Sequence, residues 1–343
     1  MDKNLNKEES LILLNKICFN KPFNKKNLLI DSSKYQFSIG SNESKLFSYN
    51  DILKKIYLSL VSESKSKEYI YTLELEEKKL EYDKLIDNLF KGYIIKNTDC
   101  IASFGSYADG SWKKGSSDLD ILVIGSEDNL ISFEKFEKFV NQIRRINIKI
   151  LSIDPIQHHG VFIGFVNIPW PESIIPYESF KDLRFHKLGI SKISLTKINK
   201  HQTSLENFNY LKSHLHFDLQ KKYNFLNQYK IKVIYSSILM LIIYKNELQY
   251  GLYKTKKNHL NHIREFGSQI EKEVILRCTN YRNSLNYFSF IIFFSHIFKN
   301  KPVLYQILLI FESFFKVQSY LNFNKSMRDR ELFLKFITNY EVN

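Results

Sequence analysis

Phe104-Gly105-Ser106-Tyr107-Ala108-Asp109-Gly110-Ser111-Trp112-Lys113-Lys114-Gly115-Ser116-Ser117-Asp118-Leu119-Asp120-Ile121-Leu122-Val123 is the stretch on which the reading of this chain turns. It opens at the end of a short apolar run, Asp99–Phe104, whose composition suits a strand closing on a Gly-Ser turn. Residues 105–117 are rich in Gly and Ser and read as a loop or helix start. Leu119–Gly125 is β-branched and alternating, a second strand. Gly105 lets the backbone turn closely past a bound group. Ser106 and the amides after it, at a helix N-terminus, make a cradle for phosphates. Asp118 and Asp120 stand two apart on a strand, where alternate side chains share a face, so two carboxylates come side by side next to that cradle. Paired hard oxygens suit Mg²⁺, which usually takes one or two carboxylates plus substrate phosphates. Two such ions can bridge an attacking hydroxyl and a leaving pyrophosphate in an in-line displacement. An Asp-x-Asp or a Gly-Ser alone carries no information; the two together, between two predicted strands, do.

This wording resembles the signature of the DNA polymerase β-like nucleotidyltransferase superfamily: hydrophobic-Gly-Ser, a spacer, then Asp-hydrophobic-Asp-hydrophobic. Gly105-Ser106-Tyr107-Ala108 with Gly110-Ser111, followed by Ser117-Asp118-Leu119-Asp120-Ile121-Leu122-Val123, is most similar to the minimal and aminoglycoside-type nucleotidyltransferases. It also resembles the oligoadenylate and cyclic-dinucleotide synthases. The resemblance covers residues 100–125 firmly, extends more weakly to residue 166, and leaves the N-terminal and C-terminal thirds untouched. It implies that Ser106, with Gly105, contacts the triphosphate and that Asp118 and Asp120 hold metal, Mg²⁺ or Mn²⁺. It implies transfer of a nucleoside monophosphate from an NTP, ATP included, to an acceptor, with release of pyrophosphate. The superfamily also uses a third carboxylate on a neighbouring strand, as base or second metal ligand. Asp154, in Ser152-Ile153-Asp154-Pro155, is the candidate; its other reading is a strand-end aspartate starting a turn with Pro155. Without a third acid the chain would be a non-catalytic nucleotide-binding or regulatory relative.

Several neighbours carry two readings. Lys113 and Lys114 can meet phosphate as point charges, or be solvated loop lysines. In Gln157-His158-His159-Gly160 the adjacent imidazoles point to opposite faces if extended, so they do not share a metal; one can touch a nucleotide or shuttle a proton, or the segment is a polar turn. Arg144-Arg145 suits a helix end, where basic residues complement the dipole. The basic run Lys254–His259, with His262 nearby, can approach an acidic substrate, but a solvated helix end is the default.

The expected fold is α+β: a small mixed sheet flanked by helices, plus an α-helical C-terminal domain forming the other wall of a cleft. Residues 1–47 read as irregular, 48–175 as the catalytic domain with leading helices, and 176–343 as the helical domain. Within these, Tyr49–Ser62 reads as a short helix, Ser66–Phe90 as a longer one, and Phe133–Arg145 as an amphipathic one. Ile146–Ile153 reads as a third strand and Val161–Val166 as a fourth, expected to be antiparallel. The prolines at 169, 171 and 176 mark a boundary or cover loop, and from Asn199 onward the pattern is helical.

The chain of 343 residues has 50 Lys+Arg against 36 Asp+Glu, a formal net charge of +14. That excess favours acidic partners such as nucleoside triphosphates or nucleic acid. It has an equally plain origin in the Lys-, Asn- and Ile-coding bias of an AT-rich gene. Three well-separated cysteines give no disulfide framework and no zinc spacing, and a polar N-terminus is unlike a secretory signal, so a cytoplasmic protein is expected. The apolar runs Ile231–Tyr244, Leu285–Phe298 and Val303–Phe315 are each too short to cross a bilayer and read as core helices. The acceptor, whether small molecule, protein or an RNA or tRNA end, is not specified by the linear sequence.

Overall fold

The computed structural model describes residues 5–19, 49–62, 70–75, 79–110, 112, 117–153, 160–171, 174–175, 179–180, 182–196, 199–220, 228–251, 253, 256–284 and 329–341. Contacts divide the chain into two compact units, Met1–Trp112 with Ser117–Lys197, and Lys113–Ser116 with Ile198–Asn343. The architecture is α+β, as expected from the sequence.

The first unit opens with α1 (Lys7–Phe19) and α2 (Tyr49–Val61). The expectation of an irregular start is corrected over the first of these. Asn6 Oδ1 accepts from the Glu9 amide (2.8 Å) and Glu9 Oε2 accepts from the Asn6 amide (3.0 Å), a reciprocal cap that starts α1. Leu11, Leu14, Ile17 and Cys18 then form its buried stripe. In α2 the stripe is Tyr49, Ile52, Leu53, Ile56 and Leu60, in agreement with the sequence.

The predicted helix over Ser66–Phe90 is instead a strand and a short helix. Ile70–Glu74 is β1, and only Lys84–Leu89 is helical, as α3. Ile70-Tyr71-Thr72 is β-branched and aromatic, and it finds an antiparallel partner far along the chain, with Ile70 opposite Thr196 and Glu74 opposite Lys192. Asp83 stops the helix from extending backward by capping α3, its Oδ1 accepting from the Leu85 (2.8 Å) and Ile86 (3.1 Å) amides.

After α4 (Tyr93–Lys96) come β2 (Thr98–Phe104), the one-turn α5 (Gly105–Ala108), β3 (Asp120–Gly125), a 3-10 turn (Glu127–Leu130) and α6 (Phe133–Ile153). The predicted third strand is therefore the last part of a helix. Ile-Asn-Ile-Lys-Ile alternates like a strand. Yet Ile146 and Ile150 also extend the helical stripe of Phe136, Phe139, Val140 and Ile143, and all six are buried. This 21-residue helix carries the chain back along the sheet, so β4 (Val161–Phe165) lies parallel to β3, not antiparallel.

The remaining strands are β5 (Trp170–Pro171), β6 (Arg184–Leu188) and β7 (Lys192–Thr196). Residues 184–196, counted with the helical region in the sequence reading, thus supply two strands. One sheet has the order β4-β3-β2-β6 and is mixed; the other is β1-β7-β5. Among the described residues of the proline-rich segment, Ile168, Trp170, Pro171 and Ile175 are buried, with Trp170 so close that a Cβ on Gly164 would lie 2.5 Å from its ring.

β4 is an edge strand, and its open edge is closed by side-chain amides. Asn15 of α1 donates to Ile163 O (2.9 Å) and accepts from Ile163 N (2.7 Å), as a neighbouring strand would. Asn147 of α6 accepts from Val161 N (2.8 Å) and donates to Cys18 O (2.8 Å). Both asparagines are buried. They satisfy backbone groups that would otherwise be stranded away from water.

The second unit contains α7 (Lys200–Gln220), α8 (Gln228–Tyr250), α9 (Lys256–Phe266), α10 (Gln269–Ser284) and a further helix, α11, over 329–338. Its core joins Phe208, Ile238, Ile242, Ile263, Val274, Cys278, Phe333 and Ile337. The apolar run at 231–244 sits in α8 and is core, as read from the sequence. The runs Leu285–Phe298 and Val303–Phe315 lie outside the described residues. No described helix is long and apolar enough to cross a membrane.

Candidate active site

β2 and β3 form an antiparallel hairpin whose last pair is Phe104 opposite Asp120. The motif residues therefore meet at one end of the sheet. Gly105 has φ 62°, the left-handed region, and a Cβ there would lie 3.1 Å from Asp120 Oδ2. Only a residue without a side chain brings its backbone against that carboxylate at no strain. Ser106 follows, half-buried, in α5.

The expectation that both aspartates lie within one strand needs adjusting, because β3 begins at Asp120 and Asp118 precedes it. Burial nevertheless alternates here. Ser117 and Leu119 are buried while Asp118 and Asp120 are partly exposed, so the two carboxylates share the more open face. Asp120 Oδ1 is shielded from solvent. Two hard-oxygen side chains on one face, with a backbone pressed close at glycine, are a donor set suited to a divalent cation. Among the described residues no three His, Cys, Asp or Glu side chains gather into a group that could hold a metal.

Two further segments reach this end of the sheet. The Ile121 amide donates to Gly160 O (3.3 Å), which places the start of β4 beside Asp120. Arg184, the first residue of β6, is opposite Ser103 of β2. Lys113, Asp154 and Gln157-His158-His159 lie outside the described residues. Asp154 was expected to follow a strand; the element before it is α6.

Around β6 is a polar cluster that the sequence reading missed. His186 contacts Ser103 Oγ through Nε2 (3.0 Å) and the Glu81 carbonyl through Nδ1 (3.2 Å). A carbonyl only accepts, so Nδ1 carries the proton and Nε2 accepts from the serine hydroxyl. Burial pushes the imidazole below its ordinary pKa, against the pull of the Glu81 carbonyl and Asp83, and it is a neutral group. Arg184 pairs with Glu81. Tyr107 donates to Asp83 Oδ2 (2.7 Å), and its ring meets Trp112 edge-on at 5.5 Å. Burial works to raise the Asp83 carboxyl, but the Tyr107 hydroxyl and the Ile86 and Leu85 amides together take it below its ordinary value. The one local signal for this cluster was Asp83 ahead of a helix, which reads only as a cap.

Other sequence readings change as well. Arg144 is not at a helix end; it lies within α6, buried, with its guanidinium 4.4 Å above the Tyr49 ring. His259 is not on a solvated helix end. It is fully buried in the helical unit, 3.3 Å from Glu247 Oε1 and 3.3 Å from Asn246 Oδ1, and Ser204 donates to the other Glu247 oxygen (2.7 Å).

Residues 96–171 match the family model of the nucleotidyltransferase domain. The chain carries a nucleotidyltransferase domain. The match is consistent with the polymerase β-like resemblance of the Gly-Ser and Asp-x-Asp motifs. No curated protein and no solved structure matches the chain. The matched part of the nucleotidyltransferase domain runs from the end of α4 through β2, α5, β3, α6 and β4 to β5. It contains Gly105, Ser106, Lys113, Asp118, Asp120 and Asp154. α1, α2, α3, β1, β6, β7 and the described helices of the second unit lie outside the matched span.

Proposed function

We propose that this nucleotidyltransferase domain moves a nucleoside monophosphate from an NTP, ATP among them, to an acceptor. An acceptor oxygen attacks the α-phosphorus, the bond from that phosphorus to the bridging oxygen breaks, and pyrophosphate leaves. The observation that carries this reading is the approach of Gly105, at positive φ, to the carboxylate of Asp120, with Asp118 on the same face. Asp118 and Asp120 would hold Mg²⁺ or Mn²⁺, which when bound neutralises charge on the phosphates. Gly105 leaves room for a phosphate over the turn, and Ser106 and Lys113 donate to its oxygens. Asp154 takes the proton of the acceptor hydroxyl. What supports that role is the start of β4 beside Ile121, with Gly160 six residues after Asp154.

The test is incubation with each NTP labelled at the α-phosphate, with Mg²⁺ or Mn²⁺ and with cell extract as acceptor source, beside Asp118→Ala/Asp120→Ala. Label transferred only by the intact protein supports the reading, and the mass of the product identifies a small molecule, protein or RNA end. If no NTP is bound or consumed with either metal, the non-catalytic reading replaces it.

A further inference from the structure

The turn that follows β2 is too short to hold itself. α5 is one helical turn, with no side-chain cap at its start. What holds it is a residue from outside the matched nucleotidyltransferase span. Asp83 uses one oxygen, Oδ1, to cap α3, and α3 is fixed by the buried side chains of Ile86 and Leu89. Its other oxygen, Oδ2, receives the Tyr107 hydroxyl at 2.7 Å. Tyr107 is the neighbour of Ser106. Its ring lies edge-on against Trp112.

We propose that Asp83, acting through Tyr107, is a positioning residue that fixes the bearing of the Ser106 turn toward Gly105 and Asp120, and so sets the affinity of the site for the triphosphate of an NTP. The proposal rests on the nucleotidyl-transfer reading. With the latch closed, the Ser106 hydroxyl and the α5 amides are ordered before the nucleotide arrives, so binding does not bear the cost of ordering them. Asp83, ionised and anchored, is the acceptor best suited to this, because a hydrogen bond to a charged oxygen is the stronger kind. Among the described residues, His186, Arg184 and Glu81 are the other charged or titratable groups packed at this place, from β6 and from the segment before α3.

Two variants separate the latch from the cap. Tyr107→Phe removes the hydroxyl alone and keeps the ring against Trp112. Asp83→Ser keeps a good helix cap while leaving the tyrosine without its acceptor. In both, the KM for NTP is expected to rise about ten-fold with kcat changed by less than about three-fold, the size of one charge-assisted hydrogen bond. The double variant is expected to match either single one, because both break the same contact. A purely structural role would instead lower kcat with the folded fraction and leave KM alone, and that result overturns the proposal.

A second readout does not depend on turnover. Trp170 is 1% exposed, so acrylamide quenching of the two tryptophans reports mainly the partly exposed Trp112. Releasing the turn is expected to raise the quenching constant roughly two-fold. An unchanged constant in Tyr107→Phe refutes the latch whether or not the protein uses NTP. Lack of NTP use with an increased constant refutes the nucleotidyl-transfer reading and with it the affinity role, leaving the latch as a contact only.

Discussion

Replacing Asn15 with leucine tests the idea that a helix side chain completes the sheet of the first unit. The substitution keeps the branched shape and the number of heavy atoms and removes every polar atom of the side chain. Asn15 is 2% exposed, and it donates to Leu11 O (2.9 Å) and Ile163 O (2.9 Å) while accepting from Ile163 N (2.7 Å). Leu11 O lies within α1 and keeps its place in the helical ladder. The amide and carbonyl of Ile163 have no such fallback, since β4 pairs with β3 on one side and is bounded by α1 and α6 on the other. A buried backbone group left without a partner costs about 1–3 kcal/mol, so two groups with some relaxation, set against the gain of burying leucine, come to ~3 kcal/mol. With a urea slope of ~2 kcal/mol/M, the midpoint drops by ~1.5 M. Both tryptophans, Trp112 and Trp170, belong to the first unit, and Trp170 packs on Gly164 of β4. Tryptophan fluorescence therefore follows this unit alone, whatever the helical unit does in the same urea. A midpoint shift under ~0.3 M at unchanged slope would mean that Ile163 needs no side-chain partner, and the edge-closing argument would fail.

Three further outcomes follow from the same geometry. A Cβ on Gly160 would lie 2.3 Å from Asn147 Oδ1, so Gly160→Ala must displace the amide that pairs with Val161; it is expected to cost ~2 kcal/mol in the same fluorescence melt, and a neutral result would show that the edge can give way. Gly105→Ala sets a side chain at φ 62° and 3.1 Å from Asp120 Oδ2; it is expected to abolish NTP binding measured by calorimetry while costing only ~1 kcal/mol of stability, and retained binding would remove Gly105 from the site. His186 has a folded pKa below its ordinary 6.5, so above that pH both states are neutral, and as pH falls through it the unfolded chain takes a proton that the native imidazole, accepting from Ser103, resists. Stability is therefore expected to fall from about pH 7 to pH 5, and His186→Asn to flatten that slope; an unchanged slope would assign it to other groups.

The motif itself was legible because its geometry is local. Gly105, Ser106, Asp118 and Asp120 fall within one hairpin, and the strands on either side are short apolar runs bounded by turn residues. Local pattern misled wherever two periods fitted the same residues. Ile146-Asn147-Ile148-Lys149-Ile150 satisfies a strand and a helix alike, and what decided was the stripe already begun at Phe136, visible only when the segment is read with its predecessor. At Ile70–Glu74 the deciding partner, β7, lies more than a hundred residues away, beyond the reach of any window. α1 did carry a local signal, the Asn6-x-x-Glu9 cap, outweighed by the polar residues around it. The Asp83–Tyr107 and His186–Ser103 contacts join segments brought together only by the pairing of β6 with β2, and no spacing rule reaches them.

The third acid is where topology now narrows the question. β4 is Val161-Phe162-Ile163-Gly164-Phe165 and holds no carboxylate, so a base for the acceptor hydroxyl does not come from that strand. Four strand ends meet at the edge of the sheet that bears Asp120: the close of β2 and the starts of β3, β4 and β6. The segment leading into β4 carries one carboxylate, Asp154; the segment leading into β6 carries Glu172, Glu178 and Asp182, of which the exposed Asp182, two residues before Arg184, is nearest in sequence to the strand. Asp→Asn at Asp154 or at Asp182 removes the base and keeps the shape. If Asp154 serves, Asp154→Asn should lower transfer by about 10²–10⁴-fold at unchanged NTP affinity while Asp182→Asn stays within about two-fold, since general-base catalysis is of that size. The reverse pattern would move the base to the β6 side, next to the Arg184–Glu81 pair. Activity kept in both variants would mean that neither Asp154 nor Asp182 activates the acceptor hydroxyl.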